Sequence, residues 1–206
     1  RLGLSLPDGW TDKLSDNLAR ACGDGADPST LFAPFSQATG LQLPGDLEKL
    51  FGDSVAFSLG SNIDVESLVN GGSPSDLPIA LKVRGDEDTI RGVVTKLRKT
   101  LGAPDGVFEP VAGDGAVVVG TSRDYAAQVA KGGDLGSSGA YGTVVPQGDK
   151  AGSVFYVNFD ELDSTIKALA SGDEEVTANV APLKAFAMSS WTAGGDSHAL
   201  VKLSVD

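Results

Sequence analysis

The sequence predicts an α+β fold: a mostly antiparallel sheet of about seven strands with helices on one face, preceded by a helical region. Three observations predict it. Apolar and polar or small residues alternate over short stretches such as SVAFSLG and LPIALKVRG, the period of a strand with one face buried. Between such stretches apolar residues recur every three or four positions, most clearly in DEDTIRGVVTKLRKTLG, the period of an amphipathic helix. Two glycine turns, Gly113-Asp114-Gly115 and Gly194-Gly195, lie between apolar runs, as tight hairpin turns do.

The first fifty residues read as helix and loop. Trp10, Leu14, Leu18 and Ala21 are spaced for a first helix, with Asp8 or Thr11 to cap it and Gly23 to end it. Phe32 and Phe35 belong to a second, short helix broken by Pro34. Leu47, Leu50 and Phe51 share one side of a third, closed by Gly52. At Asp53 the pattern changes, which divides the chain into a helical N-terminal region, 1–52, packed on an α+β domain, 53–206. In that domain Val55, Phe57 and Leu59 are the buried positions of a first strand, and NIDVESLVN is a short helix. Ile79, Leu81 and Val83 face the core from a second strand, with Lys82 and Arg84 toward water. Ile90, Val93, Val94, Leu97 and Leu101 then line the strongest helix, with acids in its first turn and Gly102 beyond its end. A hairpin with arms Phe108–Val111 and Ala116–Val119 leads to a helix capped by Ser122 and stopped at Gly132. A Gly-rich crossing, a strand from Ser153 to Phe159, a helix in DELDSTIKALASG and a closing hairpin complete the chain. The order strand, helix, hairpin recurs from Leu77 and from Ser153, which suggests two diverged repeats.

At 206 residues, 41% of them hydrophobic, the chain can bury a sizeable core. Its 27 Gly and 10 Pro imply many loops. A net charge of −12, with 16 scattered basic residues, argues against nucleic acid as a partner. No run approaches the roughly 20 apolar residues of a spanning helix. Cys22 is the only cysteine, which excludes an internal disulfide and a Cys-rich zinc site; packing on the first helix is its simplest role.

Reactive groupings are sparse. Ser164 and Lys167 stand in the Ser-x-x-Lys spacing, one helical turn apart, that lets a lysine activate a serine nucleophile. The companion elements are not in the required order: Ser15-Asp16-Asn17 precedes the pair and no Lys-Thr-Gly follows. His198, the single imidazole, sits near a hairpin tip as a surface residue would. Three acidic groupings, Asn62 with Asp64 and Glu66, Asp86 to Asp88, and Asp173 to Glu175, have oxygen ligands that suit calcium. Helix-start charge accounts for the second, the first lacks an EF-hand's glycine and distal glutamate, and the third reads as a loop. Phe155, Tyr156 and Phe159 on one strand, and Phe186 and Trp191 on another, are assigned to the core, with a ligand groove at the sheet edge as the alternative. No catalytic, metal or cofactor-binding residue is assigned, and no cofactor is expected.

The hairpin ending in Val118-Val-Gly-Thr-Ser122, the helix running into Gly132-Gly-Asp-Leu135 and the strand end Val157-Asn-Phe-Asp160 resemble a family of uncharacterised, membrane-anchored extracytoplasmic proteins of high-GC Gram-positive bacteria. The resemblance spans about Asp53 to Asp206 and rests on packing and turn residues. It implies an exterior domain attached through an upstream membrane segment, with no assigned activity. The expected function is therefore a non-enzymatic extracytoplasmic domain that binds a protein, an envelope component or a small apolar ligand. The alternatives are an envelope-directed serine hydrolase using Ser164 and Lys167, and a structural assembly module.

Overall fold

A computed structural model describes residues 2–6, 9–21 and 28–206. The chain runs β1 (Leu2–Ser5), α1 (Trp10–Ala21), α2 (Pro28–Thr39), α3 (Gly45–Phe51), β2 (Ser54–Leu59), α4 (Val65–Val69), β3 (Ile79–Arg84), α5 (Glu87–Leu101), β4 (Val111–Gly113), β5 (Ala116–Gly120), α6 (Arg123–Ala130), α7 (Gly139–Val144), β6 (Ser153–Asn158), α8 (Phe159–Leu169), α9 (Glu174–Val180), β7 (Leu183–Ala193) and β8 (Asp196–Val205). The class is α+β, with one antiparallel sheet in the order β4-β5-β3-β2-β1-β6-β7-β8. Among the described residues it has eight strands where about seven were expected. The addition is β1, in the stretch read as helix and loop. Leu2-Gly-Leu-Ser is too short to declare itself, and pairing with β6 makes it a strand. Cys22, Asp8 and Gly23, the sequence's candidates for packing, capping and stopping α1, lie outside the described residues.

The chain forms two compact units, Arg1–Leu4 with Ala56–Ala80 and Gly132–Asp206, and Ser5–Val55 with Leu81–Lys131. In the second unit, α5 begins where Asp86 accepts a hydrogen bond from the Thr89 N–H at 2.8 Å, and ends at Gly102 in the left-handed region. Its apolar stripe meets the sheet: Ile90 and Val94 cluster with Val83 and Val117. Helices pack on both faces of the sheet in this unit. Val111 pairs with Val118 and Gly113 with Ala116, so these four share the face opposite Val117. A Cβ on Gly113 would meet Ala130, which places α6 on that face. The reason is legible in β5, whose Ala-Val-Val-Val has no polar side to give to water.

Lys82 is a second correction. It was assigned to solvent, yet it is buried and donates to Asp114 at 2.7 Å, while the exposed Arg84 reaches the same carboxylate at 3.0 Å. Asp114 sits with Gly115 in the β4–β5 turn, both with positive φ, the geometry of the hairpin turn that matches strand twist. Its hydrogen bond from Lys82, then the charges of Lys82 and Arg84, hold its carboxyl below the ordinary 3.8. A depressed carboxyl contributes stability above its unfolded pKa and loses it as pH falls through the folded value. Asp114→Asn, which keeps a residue tolerant of positive φ, is therefore expected to lower the urea midpoint at pH 7. The gap from wild type should close as the pH falls below 3.8 and through the depressed folded value. An equal gap at both pH values would show that the pair contributes nothing.

In the first unit, β6, β7 and β8 pair antiparallel in an unbroken register, with one irregularity between Leu183 and Ala185. Tyr156, Ala185 and Ala187 share a face and form a core with Val144 and Val145 at the end of α7. Tyr141 from α7 meets Tyr156 edge-on at 5.1 Å. Both α7 and α9 fall in stretches read as loop. Each is short and side-chain-capped, α7 by Ser138 and α9 by Asp173, whose carboxylate accepts from Glu175 and Val176. The two blocks proposed as repeats differ in pairing: the first hairpin meets β3 through its second strand, β5, and the other meets β6 through its first, β7.

Candidate functional site: an apolar slot and an open sheet face

The site lies within the first unit, where β2 and β6 flank β1. In an antiparallel sheet β2 and β6 both neighbour β1 and so run the same way. The register of β1 reaches only from Ser153 to Phe155 of β6, ending at Leu2 opposite Phe155. The carboxyl ends of β2 and β6, with Leu2, line a cavity of about 490 Å³, within the size range of small-molecule sites. Its walls are Leu2, Phe57, Leu59, Phe155, Val157 and, from outside the strands, Leu135 and Leu162. Phe57 and Phe155, both assigned to the core, are 40% and 41% exposed.

Polar groups are few and grouped at one end. Ser58, Ser61, Tyr156, Asn158 and Glu161 complete the lining. Asn158 stands at the N-terminal cap position of α8 but makes no capping bond, and its buried Oδ1 has no hydrogen-bond partner among the described residues. A buried acceptor without a donor is costly, so this amide is available to a bound group. α8 is tied down about two turns further on, where Thr165 donates to the Ser61 carbonyl at 3.1 Å. Burial, then the carboxylates of Glu161 and Asp160 acting against it, push the phenol of Tyr156 above its ordinary 10.0. Asp160 is paired with Lys184 at 3.3 Å, whereas Glu161 has no ion-pair partner among the described residues.

Next to the slot the sheet keeps one face open. The register puts Leu2, Phe155, Met188 and Val201 in a row across four strands, with Leu203 beside them opposite Phe186. All of these six except Phe186 are 41–58% exposed. Phe155 and Phe186 meet edge-on at 6.2 Å on this face. Contiguous apolar surface of this kind marks interaction sites. β8, the last strand in the order, adds a ten-residue edge.

The residues singled out from sequence are scattered. Ser164 and Lys167 are both exposed on α8, and the Lys167 ammonium donates to Asp163 at 2.7 Å. His198 is exposed and stacks on Trp191, 5.4 Å between ring centres and 13° from parallel. Phe159 opens α8 and is not part of the strand. The leading acid of each acidic grouping caps a helix: Asp64 accepts from Ser67, Asp86 from Thr89 and Asp173 from Glu175. Among the described residues no three His, Cys, Asp or Glu groups converge as a metal site, and no helix is long and apolar enough to cross a membrane. The slot residues were visible as apolar alternation, but their exposure was not. Comparison with protein families, with curated proteins and with solved structures finds no match to this chain.

Proposed function

We propose that this chain is a non-enzymatic, extracytoplasmic binding domain whose slot between β2 and β6 takes a small apolar ligand. The observation that carries the reading is the slot itself: apolar walls, open to entry, with one uncommitted amide at the end where β6 becomes α8. A few placed polar groups in an apolar cleft are how small-molecule sites combine affinity with orientation. The extracytoplasmic placement follows from the family resemblance of Val118–Ser122, Gly132–Leu135 and Val157–Asp160. The test is the fluorescence of an apolar reporter, N-phenyl-1-naphthylamine, titrated with protein. Leu59→Arg, at a half-exposed wall position, is expected to weaken reporter binding about tenfold or more, since an arginine head in an apolar cleft must be desolvated. Unchanged binding in that variant would remove the slot as the site.

A second reading, a structural assembly module, is favoured by the open face and the long β8 edge. Its occupant would be a second copy, because two β8 edges can pair and extend the apolar row across both. Sedimentation velocity across a hundredfold concentration range tests it: association abolished by Val201→Lys supports it, and a monomer at every concentration rules it out.

A further inference from the structure

We infer that Asn70-Gly71, within the first unit, is a site of spontaneous covalent modification. There the chain converts its own asparagine to aspartate and isoaspartate with water as the only other reactant, and the conversion unties the loop that follows α4.

The chemistry needs an asparagine carboxamide and the next residue's backbone nitrogen brought together. The Gly71 nitrogen bonds to Asn70 Cγ, the side-chain nitrogen leaves with the Gly71 proton as ammonia, and a five-membered succinimide remains. Water then opens either ring carbonyl, giving aspartate or isoaspartate. Asn70 is the only asparagine of the sequence that precedes glycine; Asn17, Asn62, Asn158 and Asn179 precede Leu, Ile, Phe and Val, whose side chains shield the attacking nitrogen. Glycine shields nothing and leaves the backbone free to turn that nitrogen onto Cγ. The structure adds to this. Asn70 is exposed and follows a five-residue helix, α4, too short to hold itself closed. Among the described residues neither the Asn70 side chain nor the Gly71 N–H makes a hydrogen bond, so both reacting groups are uncommitted. A Cβ on Gly71 would meet nothing within 4 Å, so the ring has room to form.

Two other steps among the described residues put an acid before glycine, and both are guarded. The Gly106 N–H after Asp105 is held by Glu109 Oε1 at 2.9 Å. The Asp114 carboxylate before Gly115 is held by Lys82 at 2.7 Å and Arg84 at 3.0 Å, which keeps it ionised, whereas ring closure needs the neutral acid. Conversion at Asn70 reaches the loop because the altered bond lies inside its closure. The Ser67 carbonyl accepts from the Gly72 N–H at 2.7 Å and the Ser67 hydroxyl bonds Asp76 at 2.8 Å, so residues 70–76 are fastened to α4 at Ser67. Isoaspartate inserts one more carbon into the backbone between Asn70 and Gly71, and either product adds a negative charge at the helix end that disfavours one.

The experiment incubates the purified chain in warm, near-neutral buffer and follows its tryptic peptides by tandem mass spectrometry. Peptide Leu50–Lys82 carries Asn70 together with Asn62, its internal control. The expected result is a gain of one mass unit at Asn70, in two chromatographic forms of equal mass, about tenfold faster or more than at Asn62. The gain should quicken as pH rises, because the attacking amide must lose its proton, and it should vanish in Asn70→Gln, whose ring would have six members. In the converted fraction the Gly72 N–H should exchange with solvent about tenfold faster than in fresh protein. No gain in the folded chain, equal gain at Asn62, or a gain in this peptide that persists in Asn70→Gln overturns the site. Isoaspartate arising as fast at Asp105 or Asp114 overturns the structural part of the inference, because Glu109, Lys82 and Arg84 would then protect nothing. Unchanged exchange at Gly72 after conversion overturns the untying of the loop.

Discussion

Gly52→Ala is expected to destabilise the second unit by about 3 kcal/mol or more, the largest loss for any single methyl added to this chain. Gly52 ends α3 with φ +54, and its N–H closes the helix on the Glu48 carbonyl at 2.9 Å. The chain then turns at once into the sheet, where the Asp53 N–H donates to the Arg84 carbonyl at 2.8 Å. A Cβ on Gly52 would fall on that same carbonyl oxygen and lie 3.2 Å from Val83 Cγ1. Backbone cannot move aside as a flexible side chain can, so the substitution strains φ and also parts α3 from β3. Gly102→Ala separates the two effects. It shares a positive φ, +63, but its Cβ meets nothing within 4 Å, so it should cost about 1 kcal/mol. Urea unfolding followed by circular dichroism measures both. Equal midpoints for the two variants would mean that the close approach at Arg84 is relieved without penalty.

Ile90→Ala should cost about 2–5 kcal/mol, and Ile90→Val only about 0.5–1.5 kcal/mol. Ile90 is 1% exposed and lies in the cluster with Val83, Val94 and Val117, where α5 meets the sheet. Truncation to alanine removes three carbons from water-free packing and leaves a cavity between rigid elements, whereas valine retains the branch at Cβ. The graded pair guards against misreading: a loss from helix propensity alone would favour alanine over valine, the reverse order. If the alanine variant proves the more stable of the two, Ile90 is not a core residue.

The helical part of the fold was legible where side-chain period and caps agreed. For α5 the apolar stripe, Asp86 at its start and Gly102 at its end all speak for one segment. Ser122 at α6 and the turn at Asp114-Gly115 were legible for the same reason, that local hydrogen bonding and positive φ are properties of a few neighbouring residues. Four residues were too few for β1 to show a period against Gly3, and α7 hid in a glycine-rich stretch whose helix depends on a serine cap. The candidate site was less legible still. Phe57, Leu59 and Phe155 have the alternation of core residues, and nothing local separates an apolar residue that meets a helix from one that meets a cavity.

The sequence by itself determined the α+β class, the caps and turns, and the acidic balance that sets the sign of the field around the chain. Those depend on composition and on neighbours within a turn. Only the tertiary structure decided that Leu2 pairs with Phe155 between β2 and β6, that Lys82 is buried against Asp114 while Arg84 stays wet, and that Asn158 and Glu161 join the lining of an apolar slot. Each brings together residues between tens and about a hundred and fifty positions apart. Burial is a property of what lies across the gap, and a single strand or helix carries no record of it.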